Sequence, residues 1–254
     1  MTRWKITIEY KGTNYYGWQR QEGLPTIQGS IERALKEFCQ QDIIVNASGR
    51  TDAGVHAKAQ IAHFDLDYGE RPMDGTKIAK ALNAYMRDDL ISIIKAEKTD
   101  KDFHARHSAT NKLYNYRIIN RPSTLTVDQD LAWYYKRPLD PEAMHDAAQV
   151  LLGFHDFTTF RDSMCQAQSP EKTLRRLDVS SRDYDGCGGI EIIIAAEAKS
   201  FLHHQARNMV GSLTMVGERK WTKDDLKKAL EAKDRKKGGV TAPADGLYLM
   251  RVDY

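Results

Sequence analysis

Cysteine is scarce in this chain. Cys39, Cys165 and Cys187 are three in 254 residues, an odd number at wide spacings, which excludes a disulfide framework and a cysteine-based zinc site. They read as reduced thiols of a cytoplasmic protein. No apolar run is long enough to span a bilayer. The first residues, Met1-Thr2-Arg3-Trp4-Lys5-Ile6, go straight into a strand pattern, so neither a signal peptide nor a membrane contact is expected. A strong charge of either sign is also missing. The 38 basic and 35 acidic side chains leave a net charge of +3, which permits nucleic-acid binding without demanding it. There is no Walker loop, no HExxH and no dinucleotide fingerprint. The eight histidines are scattered apart from His203-His204 and the His104/His107 pair, so a metal-dependent hydrolase is a weak reading. Heptads, low-complexity tracts and short repeats are absent.

What is present is an ordinary globular balance, 41% hydrophobic and 29% charged, long enough for one large domain or two small ones with real cores. Trp4, Ile6, Ile8 and Tyr10 alternate with Arg3, Lys5, Thr7 and Glu9, which predicts a half-buried first strand. A loop rich in Gly, Asn, Gln and Tyr follows from Gly12 to Gly23. Thr26 is then a candidate cap for a helix whose Ile27, Ile31, Ala34, Leu35 and Phe38 form the apolar stripe, with Glu32, Arg33, Lys36 and Glu37 facing water. Ile43-Ile44-Val45 and Ile61–Phe64 read as strands, 76–86 as a helix and 90–96 as a strand. The order then repeats: a strand over 112–120, a helix opened by Asp140-Pro141 and closed by Gly153, strands over 173–184 and 189–198, a helix over 204–217, a basic helix from Thr222, and a last strand over 246–253. Strand–helix–strand–strand–helix–strand used twice is the split β-α-β, or ferredoxin-like, pattern. The expectation is an α+β protein with antiparallel sheets covered on one face by helices. Its two subdomains, 1–105 and 106–254, are taken to meet near residue 105.

The densest chemistry lies in Gly49-Arg50-Thr51-Asp52-Ala53-Gly54-Val55-His56. One carboxylate and one guanidinium stand between two glycines, where backbone can approach a ligand closely. Taken alone, a short Asp/Gly turn is more often structural, a hairpin-like loop with Asp52 in an Asx turn. A second charged feature runs from Arg219 to Lys237, with nine basic residues against four acids. Such a run suits a solvated helix face, or, as a group, contact with phosphates through Lys227, Lys228, Lys236 and Lys237.

The octet resembles the active-site loop of the tRNA pseudouridine synthase A family, and further motifs carry the resemblance along nearly the whole chain. They are Tyr15-Tyr16-Gly17-Trp18-Gln19-Arg20-Gln21, Asp102-Phe103-His104-Ala105-Arg106 with Ser108-Ala109-Thr110, and His155-Asp156-Phe157-Thr158-Thr159-Phe160. Phe201-Leu202-His203-His204-Gln205-Ala206-Arg207-Asn208 and Ala242–Leu249 complete them, all in order. The chain departs from the family's pattern at Gln205-Ala206, often Met-Val, and at Thr159, often Ser. The resemblance implies two ferredoxin-like halves flanking a central cleft, no cofactor and no metal, a homodimer, and action on uridine at positions 38 to 40 of the tRNA anticodon arm. It implies Asp52 as the essential nucleophile or base and Arg207 as its guanidinium partner. Tyr114 becomes the active-site tyrosine, with Tyr116 left in the core, and Arg50 a group that helps extrude the base. Tyr15, Trp18, Gln19, Arg20, His203 and His204 join the lysines as candidate RNA-facing residues. On the helix of Arg207, the small polar strip Asn208, Gly211 and Ser212 predicts that something can come close beside the guanidinium. The competing expectation is an RNA-binding module without chemistry, since paired ferredoxin-like sheets with exposed aromatics and basic groups would suit RNA.

Overall fold

A computed structural model describes residues 1–69 and 73–254 of the chain. They form two compact units, Met1–Thr110 with Tyr248–Tyr254, and Asn111–Leu247. Both mix helices with mostly antiparallel strands, so the fold class is α+β.

In the first unit β1 (Thr2–Tyr10) lies between β3 (His56–Leu66) and β4 (Ile91–Lys98), antiparallel to both. The short β2 (Asn46–Ala47) and the closing strand β10 (Leu247–Asp253) also pair with β3, the latter in parallel through Tyr248 and Leu249. The alternation read in β1 is the one observed, with Trp4, Ile6, Ile8 and Tyr10 all buried. Helix α1 (Ile27–Cys39) starts where Thr26 accepts a hydrogen bond from the Gly29 N–H, and it buries Ile27, Ile31, Ala34 and Leu35. Fully burying each of its three large aliphatic side chains contributes about 1.5–3 kcal/mol. Helix α2 (Gly75–Tyr85) is capped by Asp74 and pinned to β4 by Asn83, whose amide meets both the N–H and the carbonyl of Ile93.

Two expectations fail here. Ile43–Val45 is not a strand; only Asn46 and Ala47 pair with β3. Its burial still alternates, Ile43 and Val45 in and Ile44 out, but the Val45 N–H is taken by a side chain rather than by a ladder. That side chain is Glu32, expected in water and found buried. It accepts from Val45 N at 3.0 Å, from Gln28 at 2.8 Å and from Arg20 at 3.1 Å, which satisfies a carboxylate that burial would otherwise penalise.

The second unit orders its strands β5 (Asn111–Asn120), β9 (Ile190–Ala198), β8 (Glu171–Asp183) and β7 (Gly153–Asp156), each antiparallel to its neighbour. The short β6 (Trp133–Tyr135) adds in parallel to β5. Asp140 caps α3 (Pro141–Ala148), as Asp-Pro predicts, but the α-helix passes into a 3-10 turn at Gln149–Leu151, and Gly153 opens β7 instead of closing a helix. Helices α4 (Gln205–Gly217) and α5 (Lys223–Ala232) follow, the second with a capping box between Thr222 and Asp225. Met144, Leu151, Phe157, Phe160, Ile192, Ile194, Met209, Leu213 and Leu226 fill the core.

The first unit also buries a titratable ring. His63 on β3 accepts the Ala105 N–H at Nδ1, so it must stay neutral to keep that bond. Burial, then the neighbouring His104 and Arg3, push its pKa down to about 4. An unfolded histidine titrates near 6.5, so the unfolded chain binds a proton that the folded chain refuses between these values. Stability should therefore fall as pH drops from about 6.5 towards 4, by roughly 1 kcal/mol per unit. Urea midpoints at pH 7 and pH 5 check this, and His63→Gln should flatten the difference. Parallel behaviour of variant and wild type would show that His63 is not the group responsible.

Candidate active site

Asp52 sits in the loop between β2 and β3, half-buried, with Thr51 buried on one side of it and Ala53 exposed on the other. The Val55 N–H closes a turn onto the Asp52 carbonyl at 3.2 Å. The segment 12–18 lies directly on this loop. Trp18 N donates to the Thr51 carbonyl at 3.0 Å, Gly54 N to the Tyr15 carbonyl at 3.3 Å, and Gly12 N to His56 Nδ1 at 3.0 Å. Side chains have no room between the two segments. A Cβ at Gly12 would stand 2.0 Å from the Val55 carbonyl oxygen, and one at Gly17 would stand 2.6 Å from that of Thr51, with φ at +85°. The Arg50 guanidinium is exposed and donates to Gln19 at 2.9 Å. Gln19 and Arg20 are both exposed, and Arg20 is tied back to Glu32 on α1.

Tyr15 and Trp18, expected to face RNA, are 7% and 2% exposed. The Tyr15 hydroxyl donates to Asp89, and the Trp18 ring lies 6.4 Å from that of Tyr10. Both serve to seat segment 12–18, and Tyr16 between them is the exposed aromatic.

In the second unit Tyr114 is half-buried on β5 with its ring edge-on to Phe201 at 5.2 Å. Tyr116, two residues on, is the core aromatic expected of it and donates its hydroxyl to the Pro243 carbonyl at 2.7 Å. Arg207 lies in the first turn of α4, and its Nε donates to the Ala242 carbonyl at 2.7 Å while Ala242 N donates back to the Arg207 carbonyl at 3.2 Å. Burial and the nearby Asp130 raise the Asp245 carboxyl above its usual range, and the Arg207 charge pulls it the other way.

The small residues beside Arg207 do admit a close neighbour, but that neighbour is the protein's own segment 238–242. A Cβ at Gly211 would lie 1.8 Å from the Val240 carbonyl oxygen, and Gly239 N donates to the Ser212 hydroxyl at 2.8 Å. Asn208, expected in a polar strip, is buried. It donates to the Phe160 carbonyl and accepts from Arg235 and Thr241.

His203 is exposed and His204 half-buried at the start of α4, and both face Asp162, with Nδ1–carboxylate distances of 3.6 and 2.7 Å. Burial works to raise the Asp162 carboxyl, but the Met164 N–H and the histidines outweigh it and hold it below its usual range. The two departures from the family pattern are also buried. Gln205 accepts from Leu202 N at 2.8 Å, and Thr159 donates to the Ala229 carbonyl at 2.6 Å while accepting from Asp234 N. Lys227, Lys228, Lys236 and Lys237 are all exposed, and only Lys228 of the four has an ion-pair partner among the described residues, Asp225 at 3.7 Å.

A family model described as tRNA pseudouridine synthase matches residues 6–108 and 147–254. The chain belongs to the tRNA pseudouridine synthase family. Proteins named tRNA pseudouridine synthase A from Brucella ovis and Brucella abortus are each 52% identical to it over 258 residues, covering 100% of this chain and 98% of theirs. Among solved structures, an unknown protein from Galdieria sulphuraria covers 86% of this chain and 92% of its own at 12% identity, but its TM-score of 0.24 carries no argument.

Sequence reasoning missed the part that several residues play in holding the family's motifs: Tyr10 and Gln60 under the Asp52 loop, Glu32 under Arg20, Asp162 under the histidines, and Asn208 with Arg235 under segment 238–242. The one signal available was polarity out of place, such as Gln60 at the head of the apolar run Ile61–Phe64. Asn208 gives the sharpest test. Replacing it by alanine strands the buried Phe160 carbonyl and takes a partner from the half-buried Arg235 and Thr241, and should cost about 2–3 kcal/mol of stability in urea unfolding. A loss under about 0.5 kcal/mol would mean the segment is held by other contacts.

Proposed function

We propose that this chain isomerises uridine to pseudouridine in the anticodon arm of tRNA, at positions 38 to 40, with Asp52 as the essential nucleophile or base. Membership of the family carries tRNA uridine isomerisation itself; the positions and the residue roles are the further reading. The reaction breaks the N1–C1′ bond, turns the base and joins C5 to C1′. The C5 proton leaves and N1 gains one, so no electrons are exchanged and no phosphoryl group is needed. The target base must also leave its stack. What the reaction asks of the protein is a carboxylate that can trap the sugar or base, or take a proton from the sugar, held still beside a cation.

The observation that carries the reading is the fixed backbone around Asp52. Thr51, Gly54 and Val55 all make main-chain hydrogen bonds that hold the loop. A passive binder gains nothing from a carboxylate carried towards polyanionic RNA on a backbone held this firmly. Arg207 is the guanidinium partner in this reading, since arginine offers a planar two-pronged contact that lysine does not. The Tyr114 ring stacks on the target base and its hydroxyl moves the C5 proton, and Arg50 helps extrude the base. Gln19, Arg20, His203 and His204 face the RNA. The chain carries two split β-α-β halves in this reading, the first with the Asp52 loop and the second with Tyr114, Arg207 and the basic helix. The strand order β4-β1-β3 with β2 beyond supports this for the first half. The protein works in the cytoplasm as a homodimer.

Release of tritium from 5-tritiated uridine in bulk tRNA, with EDTA present, followed by mapping of the product positions, tests the whole reading. Asp52→Asn should have no detectable turnover while tRNA affinity holds or improves, because a negative charge near phosphates is removed. Turnover within about tenfold of wild type would sink the assignment and favour the non-catalytic RNA-binding alternative.

The lysines generate a separate expectation. If they meet the tRNA backbone, neutralising Lys227, Lys228, Lys236 and Lys237 together should flatten log affinity against log salt by roughly two to three units. Turnover at saturating tRNA should barely change. Parallel salt plots for variant and wild type would mean that this face meets water.

A further inference from the structure

The Asp52 loop is held from beneath by Tyr10 and Gln60, which no motif of the family reading includes, and by Thr51 of the loop itself. Tyr10, Thr51 and Gln60 are 3%, 7% and 0% exposed, so water does not compete for their polar atoms. The Tyr10 hydroxyl lies 2.8 Å from Thr51 Oγ1. Gln60 Oε1 accepts from the Ser48 hydroxyl at 2.7 Å and from Ile61 N, and its Nε2 donates to the Gly49 carbonyl at 3.0 Å. The network thus grips Ser48, Gly49 and Thr51, which flank Arg50 and directly precede Asp52. Strand register supports this arrangement. Ile8 pairs with Gln60 but Tyr10 pairs with Ala57, so the β1–β3 ladder shifts at this point, the kind of irregularity that re-aims side chains beside a functional loop.

We propose that Tyr10 is a positioning residue for the reaction: through the Thr51 hydroxyl, with Gln60 as its support, it sets the direction in which Asp52 points. The inference rests on the assignment of Asp52 as the essential carboxylate. Thr51 is held twice, by its carbonyl on Trp18 N and by its hydroxyl on Tyr10, and only the second hold is a side-chain bond that can be cut without touching the main chain. Burial pushes the Tyr10 pKa up to about 12, so its proton stays in place throughout the working range of the enzyme. A carboxylate displaced by a fraction of an ångström loses alignment with the reacting atom but little affinity for a large RNA held by many contacts, so the effect belongs in kcat.

The test measures kcat and KM by tritium release for Tyr10→Phe, Thr51→Val, Thr51→Ser and the double Tyr10→Phe/Thr51→Val, with Asp52→Asn in parallel and Tm recorded for each. Tyr10→Phe and Thr51→Val should each lower kcat by about 10- to 100-fold with KM for tRNA held within about twofold. Thr51→Ser restores the hydroxyl and should run within about threefold of wild type. The double variant should be no slower than the slower single variant, because both cut one bond. The proposal is overturned if Tyr10→Phe and Thr51→Val keep kcat within about twofold of wild type while Asp52→Asn is inactive. It is overturned equally if Thr51→Ser is as slow as Thr51→Val, or if the two single losses multiply in the double variant. Should Asp52→Asn itself turn over near the wild-type rate, the assignment beneath the proposal fails, and the proposal with it.

Discussion

The close apposition of two backbones, segment 12–18 on residues 49–55, is the constraint on which the Asp52 loop depends. A loop anchored by side chains alone keeps their rotamer freedom. A loop whose carbonyls and N–H groups face another main chain across hydrogen bonds of 3.0–3.3 Å does not. The arrangement demands glycine at 12 and 17, because any Cβ there would collide with a carbonyl oxygen. It also explains the burial of Tyr15 and Trp18. Their rings anchor segment 12–18 in the unit so that its backbone can serve as the template for the other loop. Glu32 extends the same logic outward: a single carboxylate ties the Arg20 end of the segment to α1 and to Val45, where the chain enters β2.

The second unit uses the device again with different residues. Arg207 is held by reciprocal hydrogen bonds with Ala242, and the polar atoms of Asn208, Ser212 and Arg235 fasten segment 238–242 along α4. The last turn of backbone contact is again too close for side chains, at Gly211. In both units, then, the charged residue offered for chemistry lies on an element end or loop, while a short irregular segment lies flat against it. Irregular segments carry many unpaired backbone groups, and laying one on another satisfies both sets at once.

Much of this was legible in the chain, and the reasons divide cleanly. The starts of α1 and α3 were readable because their signals are local: Thr26 and Asp140-Pro141 each act within one turn. Strand β1 was readable because its alternation is strict. Ile43–Val45 misled because alternation in burial does not require a ladder; the chain alternates there against α1 while Glu32 replaces the missing strand partner. The short strands β6 and β7 left no pattern, having too few residues to show a period. The motifs marked where charged groups would stand, and they carried the family. They did not mark Tyr10, Gln60 or Asp162, and they marked Asn208 without its partners, which lie far along the chain. No local spacing links Asn208 to Arg235 or Tyr10 to Thr51.

The supporting groups also differ in how they meet a change of pH, and the difference follows from which charge state the fold requires. Either hydroxyl can donate in the Tyr10–Thr51 bond, and burial keeps the Tyr10 phenol neutral, so the bond persists without any change of charge. His63 must be neutral to accept from Ala105, and burial again favours the neutral form, but an unfolded histidine gains its proton within reach of neutral pH. The same physical force therefore makes the clamp on Asp52 indifferent to acid over the range where the seat of residues 103–108 is sensitive to it. The bonds under the Asp52 loop come from a phenol, a hydroxyl, an amide and the backbone, none of which changes charge near neutral pH.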